Sequence, residues 1–130
     1  MKKINIMEKY PVVTLDIDKS KTSYKNVDEI LVYLKEKIDS HPVAAYIGEF
    51  DHYTHTSNLE VGEVSPDIKD AKNIIFCFGK VLPKPEMLGI RPRSIGVVEM
   101  EDRFVVSFLE APNPYAHVNM EEWVKEIINL

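Results

Sequence analysis

The sequence predicts an α+β fold, a two-layer sandwich with two helices packed on one mixed or antiparallel sheet of about five strands. Three observations point to it. Short apolar segments with period-two alternation recur along the chain, two longer segments carry apolar residues at helical spacing, and residues 73–81 are apolar on both faces. The element order is β-α-β-β-β-β-α, in a single domain spanning residues 1–130.

Residues 10–17 read as the first strand, with Val13, Leu15 and Ile17 facing one way and Pro11 suited to a strand start or an edge. Residues 27–39 give the clearest helix, because Val27, Ile30, Leu31, Leu34 and Ile38 make one stripe. Asn26 followed by Glu29 resembles a capping box, and His41-Pro42 ends the helix, since a residue before proline is driven out of helical geometry. Residues 43–50 form the second strand. Residues 51–58 read as a polar turn or site, and 59–72 as irregular, with a helical turn at 65–71 that Ser65 caps and Pro66 opens.

Residues 73–81 read as a central strand covered on each side, by helices on one and by a dimer partner or a ligand cavity on the other. The stretch 82–93, with three prolines and Gly89, is a rigid crossing. Residues 94–100 and 103–110 form a hairpin turning at Glu101-Asp102. Asn119 with Glu122 opens a last helix, whose apolar face is Met120, Trp123, Val124, Ile127 and Ile128.

A chain of 130 residues with an apolar fraction of 45% can bury a sizeable core. Its net charge of −5 and dispersed basic residues give no support to nucleic-acid binding. The apolar runs are too short to span a bilayer, and Glu8 and Lys9 interrupt the N-terminus where a signal peptide needs an apolar core. The expectation is a cytoplasmic protein that does not use a membrane. One cysteine excludes an internal disulfide and a multi-cysteine metal knuckle.

The densest chemistry lies in Asp51-His52-Tyr53-Thr54-His55-Thr56-Ser57-Asn58, which holds two of the four histidines. His52 and His55, three apart, share a face only if the segment is helical; a metal set would be completed by Asp51, Cys77, Glu99, Glu110 or His117. Against this stands the plainer reading, that Asp51 and His52 bond loop backbone. Cys77 sits in the most apolar strand, where a thiol is usually inert, with Gly79 leaving space beside it. Arg91 and Arg93 bracket Pro92. Held by a stiff backbone they suit a carboxylate or phosphate clamp, and otherwise a salt bridge to Glu99 or Glu101. Glu99 and Glu110 form a carboxylate pair only if they neighbour each other. The five glycines are scattered, no phosphate loop exists, and the residues name no cofactor.

Several segments together resemble the DUF302 (TT1751-like) family of small bacterial domains. They are the strand leading to a helix that ends near His41-Pro42, Asp51-His52 after an apolar strand, Ile74-Ile75-Phe76-Cys77-Phe78-Gly79, Ile95-Gly96-Val97-Val98-Glu99 entering an acidic turn, and Phe108-Leu109-Glu110-Ala111-Pro112. The chain departs from that pattern at Arg93-Ser94, where the family carries a leucine–proline pair, as a separate but related family would. The resemblance implies a two-layer fold and frequent dimers. It singles out His52 and supplies no established activity.

The leading functional expectation is a small-ligand-binding or accessory protein working as a homodimer. Its candidate ligand contacts are Asp51, His52, His55, Cys77, Arg91 and Arg93, and its ligand a small or anionic molecule. A metal- or haem-dependent redox or hydrolytic enzyme centred on His52 and His55 is the second reading, and a structural interaction module the third.

Overall fold

The computed structural model describes residues 1–130 as six strands, three α-helices and two 3₁₀ turns. The strands are β1 (Lys2–Ile6), β2 (Tyr10–Asp18), β3 (Ala44–Asp51), β4 (Asp70–Phe78), β5 (Arg93–Glu99) and β6 (Arg103–Leu109). The helices are α1 (Val27–Asp39), α2 (His52–Asn58) and α3 (Pro114–Lys125). All pairings are antiparallel, in the order β1-β2-β6-β5-β4-β3.

The α+β class holds, with an antiparallel sheet and helices packed on it, but the sheet has six strands rather than about five and the helices number three rather than two. The extra strand, β1, is an exposed edge that pairs with β2 from Lys2 opposite Thr14 to Ile6 opposite Tyr10. Every one of its side chains reaches solvent, so it carries no burial signal, and its two lysines blunt the open edge against further pairing. The extra helix, α2, occupies the segment read as a turn. The third difference is where α3 begins. Asn113 is its N-cap, accepting a hydrogen bond from Tyr115 N–H at 2.8 Å, and Pro114 takes the first helical position. The Asn-Pro pair that reads as a strand stop is also a helix start. Ile128 lies past the helix end and is exposed.

α1 has the boundaries its stripe predicts. Asn26 accepts from Glu29 N–H at 2.9 Å, while the Glu29 carboxylate accepts from Lys25 N–H at 2.9 Å, so the reciprocal bond reaches one residue further back than in a standard capping box. In the 65–71 segment a turn is closed by Ile68 N–H to the Ser65 carbonyl, no helix forms, and β4 already begins at Asp70.

Alternation sorts the sheet residues cleanly. Val13, Ile17, Ile74, Phe76, Ile95, Val97, Phe104, Val106 and Phe108 face one side. There they join Val27, Ile30, Leu31, Leu34 and Ile38 of α1 and Ala116, Met120, Trp123 and Val124 of α3 in one core. Trp123 stacks on Phe78 with ring planes 17° apart, and Tyr33 of α1 donates to the Trp123 carbonyl at 2.6 Å, tying the two helices together. β4 is therefore covered on one side. Ile75 and Cys77 look out from the opposite side of the sheet, which neither α1 nor α3 covers.

The β1–β2 connection stores local strain. Met7 and Glu8 hold φ of 54° and 61°, the left-handed region that favours glycine. Met7→Gly is therefore expected to raise stability by about 0.5–1 kcal/mol, seen as a higher urea midpoint. An unchanged or lower midpoint would mean that the turn is not held in this geometry.

Candidate functional site

Register across the sheet brings residues distant in sequence into one line. On the uncovered face Lys2 stands opposite Thr14, Thr14 opposite Ser107, Ser107 opposite Gly96, Gly96 opposite Asn73, and Asn73 opposite Phe50. The middle of this face is a row of small polar side chains with a gap at Gly96. A side chain built at Gly96 would come within 3.4 Å of the Asn73 amide nitrogen and 3.8 Å of the Ser107 carbonyl, so the gap is real but not empty of neighbours. Asn73 donates to Ser94 Oγ at 3.0 Å across the β4–β5 pair.

Above this row lies a cleft of about 500 Å³. Its floor is Asn73, Ser94, Gly96 and Ser107. Its rim is Ile6, Val12 and Leu109. The connection between β4 and β5 closes one side through Gly89, Ile90, Arg91 and Pro92, and Glu110 and Pro112 border another. The volume lies within the range that small-molecule sites occupy.

The two arginines bracketing Pro92 do different things. Arg91 donates to the Val81 carbonyl at 2.8 Å and pins the β4–β5 connection to itself. Arg93 is 9% exposed and donates through Nη2 to the Leu109 carbonyl. Its Nε is buried without a partner and is the one such side-chain atom in the protein. Neither arginine makes the salt bridge to Glu99 or Glu101 that the sequence allowed. Glu99 pairs with Lys19 at 2.7 Å and Glu110 with Lys3 at 3.6 Å, at opposite ends of the β5–β6 hairpin, so the two glutamates form no acid–base pair. Burial pushes the Arg93 guanidinium pKa below its ordinary value, and no neighbouring carboxylate counteracts that.

The histidine segment is organised differently. Asp51 caps α2, accepting from Thr54 N–H at 3.0 Å and Thr54 Oγ1 at 2.8 Å. Because α2 is helical, His52 and His55 do share a side, with ring centroids 6.4 Å apart, both against Phe50. His52 Nδ1 is bonded to Thr56 Oγ1 at 3.0 Å. No three His, Cys, Asp or Glu side chains gather closely enough to hold a metal ion. The donor set predicted for a metal or haem therefore does not assemble around His52 and His55. Cys77 lies opposite Ala45, at the other end of β3 and roughly 20 Å along the strand from His52, in a shallow hollow with Gly79 and Lys80. It makes no pair with either histidine.

The Thr54 hydrogen bonds hold the Asp51 carboxyl below the usual carboxylate range. A folded-state pKa below the unfolded one means that the cap supports α2 above the unfolded value and is lost as pH falls through the depressed one. The Thr54 amide resonance should therefore titrate on the acid side of an ordinary carboxylate, and Asp51→Asn should remove that titration. A Thr54 shift that titrates unchanged in Asp51→Asn would contradict the cap.

The polar row was missed by motif reasoning because its members come from four strands. The available signal was a small polar residue at alternating positions of otherwise apolar strands, as in Ser94-Ile95-Gly96-Val97 and Val105-Val106-Ser107-Phe108. Comparison with known proteins adds a family. Residues 1–129 match the family of unknown function DUF6858. The chain belongs to DUF6858. No curated protein matches this DUF6858 chain in sequence. Its fold is similar to that in the crystal structure of an uncharacterized conserved protein DUF302 from Bacillus stearothermophilus. The TM-score is 0.60 at 11% identity, over 91% of this chain and 95% of that one. The DUF302 resemblance read from the sequence is thus one of fold, and family membership lies with DUF6858. No helix is long and apolar enough to cross a membrane.

Proposed function

We propose that this protein binds a small organic molecule in the cleft over the uncovered sheet face, and that it works as a homodimer. The observation that carries the reading is the cleft itself. A two-layer domain whose core is already closed has no packing reason to line 500 Å³ with Asn73, Ser94, Gly96 and Ser107 under an apolar rim. The dimer rests on the same end of the molecule. Ile4, Ile6, Tyr10 and Leu109, which project from the uncovered face of β1, β2 and β6, are all 40% exposed or more, an apolar surface that a second copy would cover.

Native mass spectrometry after incubation with a small-molecule extract of the expression host tests both parts. The expected result is a dimer mass carrying an organic adduct that Gly96→Val, which fills the gap in the floor, abolishes. A bare monomer, or an adduct indifferent to Gly96→Val, would contradict the reading.

A further inference from the structure

The apolar patch on β1, β2 and β6 and the mouth of the cleft are not separate places. Ile6 and Leu109 belong to both, since each is 47% exposed and each forms part of the cleft's rim. Register makes the patch continuous around them, with Ile6 opposite Tyr10, Ile4 opposite Val12 and Val12 opposite Leu109. Ile90, where the β4–β5 connection closes the cleft, is exposed as well. A surface seated on Ile6 and Leu109 therefore lies over the cleft mouth, and the patch cannot be covered with the mouth left open.

Area and charge favour a second copy of this chain as the cover. At 40–51% exposure, Ile4, Ile6, Tyr10, Ile90 and Leu109 together present on the order of 400 Å² of apolar surface. A standard interface takes about 800 Å² from each partner, and a homodimer interface is about 65% apolar, so these five supply most of what one copy needs. The border carries both signs, with Lys2, Lys3 and Lys9 beside Glu8 and Glu110. Two copies then meet without a single-sign field between them, whereas a strongly basic or strongly acidic partner finds no matching face. The lysines that blunt the open edge of β1 leave contact through the face rather than through edge pairing. We infer that a second copy of this chain roofs the cleft, so that the binding site is complete only in the homodimer and occupancy and dimerisation strengthen each other. This inference rests on the ligand-binding and homodimer reading above and specifies how its two parts are joined. A molecule held under the roof touches both copies, so whatever factor the dimer adds to its affinity is returned to the dimer's own stability.

Native mass spectrometry over a dilution series, with the small-molecule extract of the expression host as probe, tests it on the unmodified protein and on Ile4→Lys. Ile4 is exposed and lies outside the cleft lining, so the substitution charges the contact and leaves the cleft's own residues in place. In the unmodified protein the adduct should be confined to the dimer and should leave as dilution splits it. Ile4→Lys should be a folded monomer, with a urea midpoint near that of the unmodified protein. Its adduct occupancy should fall roughly tenfold or more, a factor usual for coupled sites. Tyr10→Glu, at a second exposed patch position outside the lining, should do the same and replaces Ile4→Lys if that variant does not fold. A folded monomer with undiminished adduct, an adduct on the monomer beside a bare dimer, or a dimer that survives both substitutions would each overturn the roof. In each of those cases an adduct that Gly96→Val still abolishes leaves the cleft reading standing. An adduct that survives Gly96→Val, or no adduct on the unmodified protein at all, removes the cleft reading and the roof with it.

Discussion

Arg93→Met is expected to make the protein more stable by about 1–2 kcal/mol, the opposite of what removing a buried hydrogen-bonding side chain usually does. The residue is 9% exposed and its charge makes no ion pair. Its one hydrogen bond, to the Leu109 carbonyl, contributes on the order of 1 kcal/mol, which is less than the several kcal/mol that desolvating an unpaired ion costs. Methionine fills similar space with no charge and leaves one carbonyl to find solvent. Urea denaturation reads the change directly. A rise in midpoint with an unchanged slope would mark Arg93 as a group retained for something other than stability. A fall of comparable size would make it a structural tie between β5 and β6.

Phe76→Ala is expected to cost about 3–5 kcal/mol, while Cys77→Ala, one residue on, should cost less than about 1 kcal/mol. The contrast follows from alternation. Phe76 is fully buried among Phe78, Trp123 and the α1 stripe, with its ring centroid 5.7 Å from that of Trp123. Cys77 faces the uncovered side, in a shallow hollow at the β3–β4 edge. Chemical denaturation of the two variants checks the one-sided core. Comparable losses at both positions would mean that the second face is also packed, which in solution points to a partner seated on it.

The elements with strong periodicity were legible in the sequence. The stripe from Val27 to Ile38 gives α1 its limits, and the alternation of Ile95, Val97, Phe104, Val106 and Phe108 gives the β5–β6 hairpin. What escaped lacks that signal. β1 buries no side chain, so its Lys-Lys-Ile-Asn-Ile pattern has no inward face to reveal it. α2 is built from residues of modest helix propensity with none buried, and it is helical because Asp51 caps it and the β3 register ends there. The helical H-x-x-H spacing drew attention to His52 and His55, although the same residues are accounted for by Thr56 and Phe50.

The cleft was hidden for a different reason. Its floor residues Asn73, Gly96 and Ser107 are scattered along the chain and meet only through the register of β4, β5 and β6. No local pattern encodes that line. Arg91 and Arg93 did stand out, because flanking a proline is a local feature. Which of the two is buried, and which carbonyl it reaches, depends on the position of Leu109 beside the start of β5.

The most direct measurement is an amide chemical-shift map of the ¹⁵N-labelled protein titrated with a small-molecule extract of the expression host. Binding in the cleft predicts that the largest shifts fall on Asn73, Ser94, Gly96, Ser107 and Leu109, with the His52–Asn58 amides unmoved. Shifts centred on His52 and His55, or no shifts in the cleft at all, would contradict the account.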